Sequence, residues 1–307
     1  MPHTDLDVFP LSLGGNVFGW TANEEQSFKV LDAYAAAGGN FIDTADMYSC
    51  WAPGNSGGES ETIIGRWMKA RGNRGKMVVA TKVGNLPRLL GLSTKTVQRA
   101  AEDSLERLQT DHIDLYYAHQ DDRATPLAET LAAFDGLVRS GKVRYIAASN
   151  FNGPRLAEAI RISRREGFAQ YVALQPHYNL MERGKYEGEL EETVAAEGIV
   201  SLPYFSLASG FLTGKYRNDS KVDSKRAEGA SAYLNDKGRG VLKALDEIAA
   251  TRKEAVATIA LAWLAAQPTV IAPIASARTP EQLPPLLRSA EVHLSKEEIV
   301  KLSAASA

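Results

Sequence analysis

Eight short runs rich in β-branched and aromatic residues recur along the chain, each followed by a longer amphipathic stretch, and this alternation leaves few folds open. The runs fall near Leu11 to Leu13, Asn40 to Asp43, Met77 to Lys82, Ile113 to Tyr117, Val143 to Ala148, Tyr171 to Leu174, Ile199 to Leu202 and Thr269 to Pro273. Most are apolar throughout, as strands are when helices cover both faces of a parallel sheet. Helix starts are marked by Asn23 before Glu24 and Glu25, by Ser93 or Thr94 before the run to Leu108, and by Thr279-Pro280-Glu281 before the last barrel helix. Gly38, Gly72, Gly141, Gly167 and Gly198 each follow a helical run, where a residue tolerant of positive φ closes the helix. Eight such units predict an α/β protein, a (β/α)8 TIM barrel. The 307 residues fit either two domains or one barrel. With no compositional break to mark a linker, the chain reads as a single domain over 1–307.

Two segments exceed a minimal barrel. Residues 1–10 read as a short N-terminal hairpin or plug ahead of the first strand. The stretch from Ser206 to Arg239, Gly-rich and charged, is too long for an ordinary βα connection and reads as a long lid loop after the seventh strand.

Charge excludes some function classes. Lys and Arg total 35 against 37 Asp and Glu, so there is no basic excess to neutralise a phosphate backbone or an anionic membrane. The expectation is no nucleic acid and no membrane. A single cysteine, Cys50, excludes an intrachain disulfide, and the start MPHTDLDVFP lacks the layout of a secretory signal, so a cytoplasmic location is expected. The apolar stretch Ala255 to Ala266 is too short to span hydrocarbon and contains Thr258; it reads as a buried core helix.

Several motifs fail on their chemistry. Gly136 to Lys142 matches most of a phosphate-binding P-loop, but Val143 stands where Ser or Thr must ligate magnesium, and the segment runs from helix to strand rather than the reverse. No Gly-x-Gly-x-x-Gly follows the first strand. His112, His119, Asp121 and Asp122 are close in sequence without ligand spacing, so no metal is expected. Asn218-Asp-Ser220 is a glycosylation sequon without a secretory context.

One constellation survives. Barrel chemistry comes from the carboxyl ends of strands, and here the second strand ends in Asp43 with Tyr48 shortly after, the third in Lys82 after MVVAT, and the fourth in His119 after IDLYYA. Each polar residue directly follows apolar sequence, where an unpaired charge is expensive. A tyrosine, ordinarily of pKa about 10, becomes a useful proton donor beside an ammonium that stabilises its phenolate. Lys82 can supply that charge, Asp43 can hold Lys82 protonated, and His119 can hydrogen-bond a substrate oxygen beside Tyr48. Such a site polarises a carbonyl and donates a proton, and it needs an external hydride from a nicotinamide cofactor.

These residues resemble the aldo-keto reductases, in the bacterial branch related to potassium-channel β subunits, over about Leu11 to Leu302. Gly39-Asn-Phe-Ile-Asp43-Thr44-Ala45-Asp-Met-Tyr48 is similar to the family's G-x3-D-T-A-x2-Y signature, continued by Glu61 and Gly65. The resemblance places the catalytic tetrad on Asp43, Tyr48, Lys82 and His119. It implies contacts to the nicotinamide carboxamide from Ser149, Asn150 and Gln175, and ring stacking by Tyr204. It implies a pyrophosphate loop containing Ser206, Leu207, Ser209, Gly210 and Lys215. It also implies a 2′-phosphate site around Ser276, Arg278 and Gln282. Arg278 favours NADPH; the family's common lysine near Ser276, arginine near Gln282 and asparagine near Leu286 are absent here, so NADH use is also expected.

Phe18, Trp20, Met47 and Trp51 are the large apolar side chains expected to line a substrate pocket above Tyr48, which suits aromatic or apolar small-molecule carbonyls. A non-catalytic, cofactor-binding partner resembling a channel β subunit is the alternative. A barrel glycosidase is a second, and needs two carboxylates at strand ends where only Asp43 qualifies cleanly.

Overall fold

The computed structural model describes residues 1–217 and 225–307. The sequon and the middle of the expected lid loop lie outside the described residues. Apart from a two-stranded antiparallel hairpin (Asn85–Leu86 with Leu89–Leu90) and short 3₁₀ turns, the elements, in chain order, are β1 (Ser12–Gly14), α1 (Glu24–Ala36), β2 (Phe41–Asp43), α2 (Glu59–Arg71), β3 (Val78–Val83), α3 (Thr94–Leu108), β4 (Ile113–Ala118), α4 (Leu127–Arg139), β5 (Val143–Ser149), α5 (Gly153–Glu166), β6 (Tyr171–Gln175), α6 (Glu189–Ala196) and β7 (Val200–Ser201). They continue with α7 (Ala227–Ser231), α8 (Asp236–Arg252), α9 (Val256–Ala265), β8 (Ile274–Ala275), α10 (Leu283–Leu287) and α11 (Lys296–Ala305).

The eight strands form one parallel sheet in the order β8-β1-β2-β3-β4-β5-β6-β7. The two ends meet through a parallel bridge between Ser201 and Val270, with Ser201 N–H donating to Thr269 O at 2.8 Å and Ile271 N–H donating to Ser201 O at 3.2 Å. The sheet therefore curls into a (β/α)8 barrel. The eighth run pairs later than its apolar sequence suggested. Thr269 to Pro273 supplies the bridge, while the ladder to β1 uses Ile274 and Ala275.

Caps follow the sequence signals. Asn23 and Gln26 close a capping box on α1, and Ser93 accepts from Thr96 N–H at the start of α3. Gly38, Gly72, Gly141, Gly167 and Gly198 all carry positive φ, which costs glycine little and other residues much more. Thr279-Pro280-Glu281 opens a 3₁₀ turn, Pro280–Gln282, before α10 rather than the helix itself. The stretch expected as a buried helix is α9; Thr258 is fully buried there and its hydroxyl donates to Pro285 O at 2.7 Å.

The N-terminal hairpin is corrected. Residues 1–10 contain no strand; Met1 N and Thr4 N–H make local turn bonds to Leu6 O and Met1 O, and Phe9 N–H bonds the Asn40 side chain. With their donors used locally or by a side chain, these residues form a plug. Leu6 is buried in the barrel interior, with Met1 and Val8 packed around it.

That interior positions the site. Side chains two apart on a strand share a face, and the inner cluster contains Phe41, Val78, Ala80, Leu115, Tyr117, Ala147, Ala173, Leu202, Ala272 and Ile274. One step further along each inward row stand Asp43, Lys82, His119, Ser149, Gln175, Tyr204 and Ser276. Seven of the sequence-selected residues thus crown the same rows that fill the barrel below.

Candidate active site

Lys82 is fully buried and its ammonium makes three hydrogen bonds, to Asp43 Oδ2 at 2.7 Å, Thr44 O at 2.7 Å and the Tyr48 hydroxyl at 2.9 Å. The Tyr48 hydroxyl in turn donates to Asp43 Oδ2 at 3.2 Å. Asp43 Oδ1 accepts from Gln175 Nε2 at 2.8 Å, so both carboxylate oxygens are held. His119 faces the Tyr48 ring edge-on, centroids 6.2 Å apart, and its Nδ1 is buried with no protein partner. The structure brings Asp43, Tyr48, Lys82 and His119 together at one end of the barrel.

Electrostatics set their resting states. Burial pulls the Lys82 ammonium below its ordinary value, and Asp43 opposes that pull. Burial, reinforced by the Asp43 charge, pushes Tyr48 well above the ordinary value. The sequence argument had Lys82 holding the phenol down; here desolvation and Asp43 outweigh it, and Tyr48 rests protonated. Burial and then the Lys82 charge drive His119 down to about 3, leaving a neutral imidazole at physiological pH.

A cavity of about 510 Å³ begins at Tyr48 and Asp43 and runs past Tyr204, Ser206, Leu207, Ser209, Gly210 and Lys215 to Ser276, Arg278 and Gln282. Nine of the expected cofactor residues line it. Ser149, Asn150 and Gln175 stand outside its lining and bond one another and their neighbours: Ser149 Oγ donates to Gln175 O, and Asn150 Nδ2 to His119 O and Ser149 Oγ. Tyr204 is oriented by donating to Asn150 Oδ1 at 2.8 Å. At the far end, Ser276 Oγ donates to Asn16 Oδ1 at 2.8 Å, and Gln282 Oε1 accepts from Arg278 N–H at 2.9 Å. Gly14 permits this approach, because a Cβ there would stand 2.6 Å from Ser276 Oγ.

The loop after β7 is strained. Phe205, Ala208 and Ser209 have φ of 54°, 47° and 57°, and Gly210 follows at 91°. Non-glycine residues held in this region cost about 1 to 3 kcal/mol each and cluster where function requires them. Within the loop the Ala208 and Gly210 N–H groups close turns onto Phe205 O at 2.7 Å and Leu207 O at 2.8 Å.

Of the apolar wall expected from sequence, only Trp20 lines the cavity. Phe18 is corrected: next to the tight turn that bridges it to Ala22, its side chain is fully buried in the core and lies outside the cavity lining. Met47 lies outside the lining as well. Trp51 is 43% exposed and packs edge-on against both Trp20 and Tyr48, so it sits at the mouth. Phe205, also 43% exposed, lines the cavity and was missed, as were Lys225 and Arg226, whose guanidinium lies 5.9 Å from the Trp20 ring. Their signal was only their position in the long segment after β7. Among the described residues, no cluster of three or more His, Cys, Asp or Glu is placed to hold a metal, and no helix is long and apolar enough to cross a membrane.

Fold and site define an oxidoreductase of carbonyl compounds, and comparison agrees. Residues 10–307 match the Aldo/keto reductase family, to which this chain belongs. It is 38% identical to the uncharacterized oxidoreductase YrpG of Bacillus subtilis, over 96% of this chain and 91% of that protein. Protein tas of Escherichia coli is 31% identical over 99% of this chain and 96% of its own length. The aryl-alcohol dehydrogenase [NADP(+)] of Phanerodontia chrysosporium is 31% identical over 97% of this chain and 82% of its own.

Proposed function

We propose that this protein reduces aldehydes and ketones to alcohols with NADPH, accepting NADH as well, and that Tyr48 is the proton donor. The observation that carries the reading is the Tyr48 hydroxyl, hydrogen-bonded to a buried ammonium and carboxylate, at one end of a cavity that runs unbroken to Arg278.

The cavity suits such a cofactor. Its described lining contains Lys215, Lys225, Arg226 and Arg278 against the carboxylates Asp43 and Glu281, a surplus of cations for a pyrophosphate and a 2′-phosphate. The strained loop through Ser209 and Gly210 lines the place for the pyrophosphate, with Lys215 as its cation, and Arg278 with Ser276 hold the 2′-phosphate. Tyr204 presents its ring for the nicotinamide, with Ser149, Asn150 and Gln175 at the strand ends behind it. When bound, reduced nicotinamide supplies the hydride.

The chain's own residues handle the oxygen. Neutral His119 donates a hydrogen bond to the carbonyl oxygen, and the Tyr48 hydroxyl turns its one proton from Asp43 Oδ2 to that oxygen, polarising it. As negative charge develops there, Tyr48 releases its proton to it, and the Lys82 ammonium 2.9 Å away stabilises the phenolate left behind. Asp43 keeps Lys82 charged and in place. Trp20 in the wall, with Trp51 and Phe205 at the mouth, favours aromatic substrates, in keeping with the relative named as an aryl-alcohol dehydrogenase.

The test is NADPH oxidation with 4-nitrobenzaldehyde, run beside NADH and the Tyr48→Phe variant. Tyr48→Phe should lose roughly 10² to 10⁴ in kcat, the usual worth of a general acid. Near-normal turnover in that variant overturns the proton-donor assignment. Tight NADPH binding without turnover across a broad carbonyl panel would instead favour a cofactor-binding partner protein.

A further inference from the structure

Beneath the catalytic turn lies a carboxyl group that the reaction above does not use. Asp46 sits between Asp43 and Tyr48 in the turn after β2, and is fully buried with both side-chain oxygens lacking a protein partner. Its backbone N–H donates to the carbonyl of Lys82 at 3.2 Å, tying the turn to the strand that carries the catalytic lysine. The groups facing it come from every neighbouring element. Glu61 on α2 is fully buried, accepting from Thr81 Oγ1 at 2.5 Å and Arg107 Nε of α3 at 2.6 Å. Lys82 on β3, Tyr116 on β4 and Cys50 in the same turn also feel its charge, and the buried Tyr116 hydroxyl is likewise without a protein partner.

Two buried carboxyls thus share one arginine. Glu61 takes the Arg107 guanidinium and the Thr81 hydroxyl, so Asp46 is the group left to carry a proton. A second uncompensated anion there would be costly. We propose that Asp46 is a positioning residue that sets how readily the Lys82–Tyr48 pair releases a proton, through the protonation of its buried, unpartnered carboxyl beneath the catalytic turn. The inference rests on the reductase reading. Burial first, and the Glu61 charge second, raise the Asp46 carboxyl to about 8. Once ionised, it strengthens the proton's hold on Lys82 and opposes phenolate formation on Tyr48. Both effects make the pair a weaker acid, so carbonyl reduction slows as pH rises through this range.

The experiment measures kcat and kcat/KM for NADPH-dependent aldehyde reduction on both sides of pH 8 in the wild type, Asp46→Asn and Glu61→Gln. Infrared titration of the wild type for a protonated buried carboxyl, absent from Asp46→Asn, accompanies it. The wild type should show a partial alkaline step in kcat of about tenfold, the effect of one added charge at an intermediate effective dielectric. Asp46→Asn should remain flat through that range while matching the wild type within a few-fold at neutral pH. Glu61→Gln removes the like charge and should move the step to lower pH. An Asp46→Asn profile that keeps the wild-type step overturns the proposal, as does a uniform loss at all pH values, which marks a merely structural role. If Asp46→Asn does not fold, the Glu61→Gln shift and the infrared titration decide; an Asp46 already ionised at neutral pH overturns it. No turnover in the wild type defeats the reductase reading itself, whereas an unshifted step in an active enzyme defeats this inference alone.

Discussion

Lys82 has three ammonium protons and three acceptors, Asp43 Oδ2, Thr44 O and Tyr48 Oη, so a charge removed from water keeps its full complement of hydrogen bonds. The arrangement depends on a carboxylate that cannot rotate, and Gln175 provides that restraint by binding the other oxygen of Asp43. Replacing Gln175 by Leu leaves Asp43 Oδ1 buried and unpaired, a change worth about 1 to 3 kcal/mol. The expected outcome is a lower denaturation midpoint by that amount, with kcat falling more than KM rises; unchanged stability would show that Asp43 is held otherwise. Asp43, Lys82 and His119 were legible because each stands at the end of an apolar strand, where a polar residue needs a reason, and Tyr48 because it follows Asp43 in the turn just beyond. The Gln175 bond to Asp43 was not, since 132 positions separate the partners and only barrel closure makes them neighbours. Phe18 misled for a related reason: its proximity to Trp20 in sequence gives no hint that Phe18 is buried in the core while Trp20 lines the cavity.

Among the elements, the connection after β7 departs furthest from a simple βα link. Ala208–Thr213 forms a kinked 3₁₀ segment through left-handed residues, and α7 folds back beside it, with the Phe211 and Tyr233 rings 5.7 Å apart. A Cβ on Gly210 would sit in ordinary van der Waals contact, the nearest atom being Lys215 Cε at 3.5 Å, so Gly210→Ala meets no clash and is strained only by its backbone at φ 91°. It should weaken NADPH binding by about tenfold, corresponding to roughly 1 kcal/mol or slightly more of strain, while kcat at saturation stays near that of the unaltered protein. Titration of cofactor fluorescence measures it, and unchanged affinity would remove the loop from the binding site. The length and glycine content of this connection marked it in the sequence, but composition alone did not single out Phe205, Lys225 or Arg226. The eighth strand was offset for a local reason: Pro273 has no N–H to give the ladder, yet its carbonyl accepts from Ser12 N–H at 2.9 Å, so regular pairing begins only at Ile274.

At the scale of the whole molecule, barrel architecture was legible because eight apolar runs and their glycine stops repeat one physical unit, whereas the N-terminal plug was not, since ten residues without periodicity fit a hairpin equally well. The barrel also concentrates buried ionisable groups at one end, which gives folding stability a definite pH dependence. His119 falls from an ordinary 6.5 to about 3, and His177, half-buried beside Lys185, to about 4, so the unfolded chain binds protons that the folded one refuses. Their stabilisation is complete above about 6.5 and is lost as pH drops toward those values. Asp46 acts with the opposite sign. Its carboxyl rises from 3.8 to about 8, so the folded state keeps a proton that the unfolded chain has lost, and stability declines as pH rises between those values before levelling off. In the lower part of that interval the histidine and Asp46 slopes oppose each other; from about 6.5 to about 8 only the decline remains. Asp46→Asn removes that decline while leaving the histidine slope intact. Its melting temperature relative to the wild type should therefore climb steadily from acid pH to about 8 and then hold constant, at a limiting slope of about 1.36 kcal/mol per pH unit. Calorimetry of the two proteins across that interval measures the difference, and a gap that does not change with pH would mean that Asp46 is ionised in the folded chain.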